Sequence, residues 1–198
     1  MDKIKFGLFD VFAYAIPGLL LLLIIPIIYT NLTISVFAFG EKFMLFCDKI
    51  SFNSILLFVF FGYIGGFILH FFGYNYFNRI AKKIWKKRLK GKEQGLSKFE
   101  TKFVLVRHYS KENYAFAEQW MTFRAMSFNI SLASLILGFT VIVKQIFSLT
   151  FRFDWMCVSI IFFIMAFVTL RRAVTFHAWS HDTLDNAINT LNLEQKKI

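Results

Sequence analysis

Residues 55–72 read ILLFVFFGYIGGFILHFF, a run with no Lys, Arg, Asp or Glu and with His70 as its only side chain that titrates near neutrality. At about 1.5 Å of rise per residue such a run approaches the roughly 30 Å of a bilayer's hydrocarbon core. A helix apolar on every side has no solvated face to offer water. Three further stretches behave alike: about 11–29, with the unbroken block Leu19 to Ile25; about 126–143, MSFNISLASLILGFTVIV; and about 155–170. The chain is therefore predicted to be an all-α membrane protein with four transmembrane helices. Pro17, Gly18 and Pro26 predict a kink in the first of them.

Composition agrees. The hydrophobic share is 57%, aromatics make 20% with 28 Phe, and mean hydropathy is +0.56. Ten Gly and two Pro, with apolar residues in blocks, argue against disorder, collagen-like repeats and an outer-membrane barrel. Two cysteines exclude a disulfide framework or a Cys-rich zinc module; Cys47 and Cys157 both fall near the outer side, where Cys157 reads as a small packed hydrophobe. Lys3 and Lys5 ahead of the first apolar block resemble a signal peptide, but the block is long and Val36 and Ala38 make a weak cleavage site, so a retained helix is expected.

Charge sets the expected orientation. The chain carries 23 basic against 12 acidic residues, and positions 74–124 hold 13 of the former and four of the latter, a net +9. By the positive-inside rule this segment is cytoplasmic, and Arg171 and Arg172 end the fourth span on the same side, so both termini are expected inside. Within it, Phe77, Ile80, Ala81, Ile84 and Trp85 recur at helical spacing and extend the second span to about Leu89. Gly91 to Gly95 break that helix. Ser97 and Glu100 form a capping box for the next, which is interrupted at Ser110 and runs through Phe116, Trp120 and Phe123 into the third span. The expected organisation is one membrane domain over 1–198, with a cytoplasmic basic helical hairpin at about 74–124 and a C-terminal cytoplasmic helix at about 171–192.

Two sets of residues are candidates for function. The first is basic: Arg79, Lys82, Lys83, Lys86, Lys87, Arg88, Lys90 and Lys92, joined by Lys98, Lys102 and Arg107. Juxtamembrane Lys and Arg attract anionic lipid, each by about 1 kcal/mol. The same charges suit an oligonucleotide or nucleotide, with Trp85 or Tyr109 to stack a base. The second set is for pore lining or helix packing. Gly62 and Gly66 form G-x-x-x-G with His70 a turn further on, and Ser127, Ser131, Ser134 and Gly138 share one face of the third span. Small residues let helices approach, and hydroxyls in lipid need a partner helix or a water path. A pore needs a homo-oligomer, because four helices enclose no wide channel.

In the tail, His177, His181 and Asp185 have metal-capable spacing, but Val174, Trp179, Leu184, Ile188 and Leu191 describe an ordinary amphipathic helix whose polar face is solvated. No metal site, cofactor or catalytic residue is expected; phosphate-loop and nucleophile-elbow motifs do not occur.

FDVFAYAIPG at 9–18, the long spans flanking a basic hairpin, and RHYSKENYAFAEQWMTFRAMSFN at 107–129 together resemble a family. The layout is similar to the small four-span membrane effectors of bacterial anti-phage defence operons, most of all the channel effector of the Hailong system. That resemblance implies a homo-oligomeric, tetrameric ion channel of the inner membrane, controlled by a DNA oligomer or nucleotide from a partner nucleotidyltransferase-like protein. The other expectation, drawn from the residues, is a non-conducting membrane adaptor that docks a soluble partner through the hairpin and C-terminal helix.

Overall fold

A computed structural model describes residues 2–89, 96–149 and 151–192, and these are helical without a strand. Lys90 and Lys92 lie outside the described residues, as do the side chains of Arg88 and Lys98. Four helices are long and apolar enough to cross a membrane: 11–29, 52–84, 111–147 and 153–190.

The first crossing is α1 (Asp2–Leu22) followed by α2 (Ile24–Tyr29). They part at Leu23, because Pro26 has no N–H for the Leu22 carbonyl; the chain instead closes a tight turn through Leu23 N–H to Leu20 O, 3.2 Å. α4 (Phe52–Tyr76), capped by Ser51, returns antiparallel to α1. The two backbones touch: a Cβ on Gly18 would overlap the Gly62 carbonyl oxygen, and one on Gly66 the Tyr14 carbonyl oxygen. Gly62 and Gly66 are therefore a contact between helices of one chain, the closest kind that glycine allows. Further along, Gly73 makes room for Phe128 and the Asn129 amide oxygen of α8 (Lys111–Phe147).

α8 is the central helix, packed on α1, α4 and α9 (Phe153–Thr190). Its serine face meets α9. The Ser131 hydroxyl donates to Ala166 O at 2.7 Å, the Ser159 hydroxyl of α9 donates back to Gly138 O at 3.0 Å, and Phe163 fills the space at Gly138. At 37 and 38 residues, α8 and α9 are each about 55 Å long, nearly twice a bilayer's apolar thickness. The third span and the part of the second hairpin helix beyond Ser110 are thus one continuous rod. So are the fourth span and the C-terminal helix, since α9 runs through Arg171 and Arg172 without a break.

The basic end is a bundle built around the last turns of α9. α4 passes through a π-helical turn, Phe77–Ala81, into α5 (Lys82–Ile84), breaks at Trp85 and finishes as α6 (Lys86–Leu89). Phe77, Ala81 and Leu89 are buried with Phe128, Leu170, Ala173, Val174 and Ala178. The apolar stripe expected from spacing is corrected here: Ile80 and Ile84 are exposed, because the π turn resets the face. α7 (Leu96–Tyr109) packs Val106 against Ala117, Leu184, Ala187 and Ile188. Ser97 is itself helical and so is not at a capping position. Ser110 breaks the chain between α7 and α8 and caps α8, accepting from the Asn113 N–H.

One helix was not expected. α3 (Val36–Cys47) lies between the first two crossings, capped by Ser35, and none of its residues is buried.

The glycine contacts make opposite expectations testable. Gly66→Ala should cost about 1–3 kcal/mol or more through overpacking, whereas Gly40→Ala, where a Cβ meets open space, should be neutral or gain up to about 1 kcal/mol of helix propensity. Thermal unfolding in detergent separates the two; equal midpoints would place the α1–α4 contact elsewhere.

Candidate functional site

A group of exposed basic side chains lies along the arm that leaves α4, with Arg107, Lys111, Arg171 and Arg172 exposed on the neighbouring helices. Arg79, Lys83, Lys86 and Lys87 are exposed and Lys82 is half-buried, because Phe77, Ala81 and Leu89 take the inner face. Ile80 and Ile84, 44% and 62% exposed, sit among these cations. The half-buried Trp85 ring packs on Phe167, 5.7 Å between centroids, and against the buried cluster. Tyr109 is exposed at the end of α7, edge-on to His108. Two of the expected ligand cations have internal contacts. Lys102 bonds Asp185 at 2.6 Å, and the Arg107 guanidinium lies over the Tyr114 ring at 5.5 Å.

Beneath the arm runs a buried polar seam that sequence reasoning missed. Arg124 of α8 donates from Nη1 to His177 Nδ1 at 2.9 Å, its guanidinium sits 6.0 Å from the Phe77 ring centre, and its Nε is buried without a hydrogen-bond partner among the described residues. Arginine only donates, so His177 accepts and carries its proton on Nε2. The His181 ring stands edge-on to His177 at 4.7 Å and beside Phe99 at the same distance. His177 and His181 are buried, which corrects the expectation of a solvated face: α7 and α8 cover it. Asp185, near enough to His181 to act on its charge, pairs with Lys102. A signal for Arg124 existed, since continuing the Ser127–Gly138 stripe three residues back lands on it.

The membrane residues singled out by sequence are likewise packed inside the chain. His70 accepts from the Asn129 amide at 3.3 Å and lies against the Tyr14 and Phe128 rings. Ser127, Ser131 and Ser134 are buried, Ser134 donating to Ile130 O of its own helix at 2.7 Å and Ser131 also meeting the Tyr76 hydroxyl at 3.3 Å. This face of α8 looks onto α9 and α4 of the same chain. Among the described residues no group of three His, Cys, Asp or Glu is placed to hold a metal.

No family model, curated protein or solved structure matches the chain.

His181 lies eleven residues beyond Leu170, outside the apolar stretch. Burial pushes its pKa from 6.5 down to about 4; Asp185 opposes the shift, and Arg124, Lys102 and Lys82 add to it. A depressed histidine pKa means that the unfolded chain binds the proton first. Stability should accordingly fall as pH drops from 6.5 toward 4 and stop falling below that value. His181→Asn should flatten this slope in detergent unfolding curves, and an unchanged slope would assign the pH dependence to other groups.

Proposed function

We propose that the chain is the subunit of a homo-oligomeric ion channel, tetrameric by its resemblance, in a bacterial inner membrane. Both termini and the basic end face the cytoplasm, in keeping with the charge asymmetry. An oligonucleotide or nucleotide made by a partner nucleotidyltransferase-like protein controls it from the arm, as in anti-phage defence effectors. What carries the reading is continuity. The arm packs through Phe77, Trp85 and Leu89 on α9, and α8 and α9 extend from that bundle into the apolar region without interruption. A ligand that shifts the arm therefore acts on rods that also cross the membrane, and no flexible linker intervenes to absorb the movement.

The adaptor reading has its own support. The Ser131, Ser134, Thr140, Ser159 and Thr169 hydroxyls all donate to backbone carbonyls of this chain. A pore formed between chains would start out walled by Phe, Ile and Leu, which closes by dewetting. In that form the protein does not conduct until helices turn, or it never conducts and docks a soluble partner instead.

Purified protein in liposomes is expected to pass current that changes on addition of short DNA. Absence of current both with and without DNA favours the adaptor.

Changing Lys82, Lys83, Lys86 and Lys87 to Gln should weaken oligonucleotide binding and reduce the slope of log K against log salt by roughly 0.7 for each phosphate that these lysines no longer neutralise. An unaltered slope would leave anionic lipid as the partner of these lysines, a role that the neighbouring Ile80 and Ile84 suit.

A further inference from the structure

The end of the molecule opposite the basic bundle has its polarity turned inside out. The six most exposed large apolar side chains among the described residues are Tyr29, Phe37, Phe147, Leu149, Phe151 and Phe153, at 77–94% exposure. All belong to one end: the close of α2, the first turn of α3, and the connection from α8 to α9. Lys144, Arg152 and Asp154 there bond inward, while Glu41, Lys42, Asp48 and Lys49 on α3 and the turn after it stay exposed. Arg152 donates to Thr33 O at 2.6 Å and pairs with Asp154 at 3.0 Å, and the second Asp154 oxygen accepts the Val36 N–H at 2.9 Å. Lys144 donates into the Ile27, Ile28 and Thr30 carbonyls that end α2. A connection bathed in water arranges these groups the other way round, with cations out and phenylalanines in.

α3 fits the same pattern. Its twelve residues span about 18 Å, too short to cross a bilayer. Its start is tied down by Asp154 and by the Trp155 indole, which donates to Ile34 O at 3.0 Å, and Phe39 packs on Trp155 at 5.4 Å between centroids. That leaves Phe37 and Met44 uncovered, with open space at Gly40 between them. The anchors hold α3 level with the ends of α2 and α9, where the membrane crossings stop.

We propose that this end is seated in the lipid interface of the bilayer and not in water: α3 lies along the membrane surface, and Phe37, Leu149 and Phe151 insert at the boundary between headgroups and acyl chains. The occupant of the exposed apolar face is thus phospholipid. Amphipathic segments with aromatic anchors bind bilayers in this way, and aromatic rings collect at that depth. The inward charges follow from the same setting, because carbonyls and a fixed ion partner replace the water that the interface lacks. The inference holds whether or not the protein conducts.

Nitroxide labels test it. In a Cys47→Ser, Cys157→Ser background, single cysteines replacing Phe37, Leu149 and Phe151 are spin-labelled, with Lys111→Cys at the exposed start of α8 as the aqueous reference. The protein is reconstituted in phosphatidylethanolamine–phosphatidylglycerol vesicles, and collisions with oxygen and with a water-soluble nickel chelate are compared. The ratio of oxygen to nickel collisions is expected to be severalfold higher at 37, 149 and 151 than at 111. Nickel access at these sites equal to that at 111 would place the end in water and overturn the proposal. Protection from both reagents would overturn it too, by assigning the face to a second copy or another protein. Three independent sites keep the outcome decisive if one variant is lost to misfolding.

Discussion

Two reciprocal hydrogen bonds hold the membrane core together: Ser131 to Ala166 O, and Ser159 to Gly138 O. Lipid tails are as apolar as leucine, so burial against lipid supplies no hydrophobic drive between helices, and association rests on close packing and buried polar contacts. α8 and α9 satisfy both conditions along their shared face. α1 and α4 join each other by the other device, backbone contact through Gly18, Gly62 and Gly66, and α4 meets α8 where Gly73 faces Phe128 and Asn129. The basic end obeys the opposite physics. Val106, Leu184 and Ile188 leave water for a small core, and full burial of such side chains is worth about 1.5–3 kcal/mol each. One pair of rods therefore joins two regions stabilised by different forces.

The four crossings were legible because length and unbroken apolarity need no knowledge of neighbours. So was the break at Ser110, where a capping residue meets a change in pattern. Faces were legible but partners were not. Spacing placed Ser127, Ser131, Ser134 and Gly138 together, yet nothing in spacing tells a pore wall from a packing seam, since both want small and hydroxylated residues. The tail histidines show the same limit from the other side. Their face looked polar and hence solvated, but α7 and α8 cover it, and coverage is a tertiary fact. α3 escaped notice because it is short and carries only Glu41 and Lys42 as charged residues, too brief a pattern to mark a helix from sequence.

For the candidate site, the number of basic residues said less than their placement. Lys102 and Arg107 have internal contacts, and Trp85 faces Phe167. On the arm a compact group, Arg79 to Lys87, stays outward, on a segment that departs from regular α-helix. Under it, Arg124 contributes a buried cation whose nearest hydrogen-bonding neighbour is a neutral imidazole, a pairing that requires the histidine to remain unprotonated.

The departure from α-helix at Phe77–Ala81 follows from counting. Inward residues on α4 and the arm fall at Gly73, Phe77, Ala81 and Leu89, with half-buried Trp85 between the last two, a repeat of four. A regular helix turns 100° per residue, so sixteen residues at 3.6 per turn would leave Leu89 about 160° away from Gly73, on the opposite side of the rod. The π turn and the break at Trp85 absorb that drift. They act as a phase corrector. The local winding keeps a single seam aligned from Gly73 to Leu89, and in doing so it determines which cations of the arm face outward.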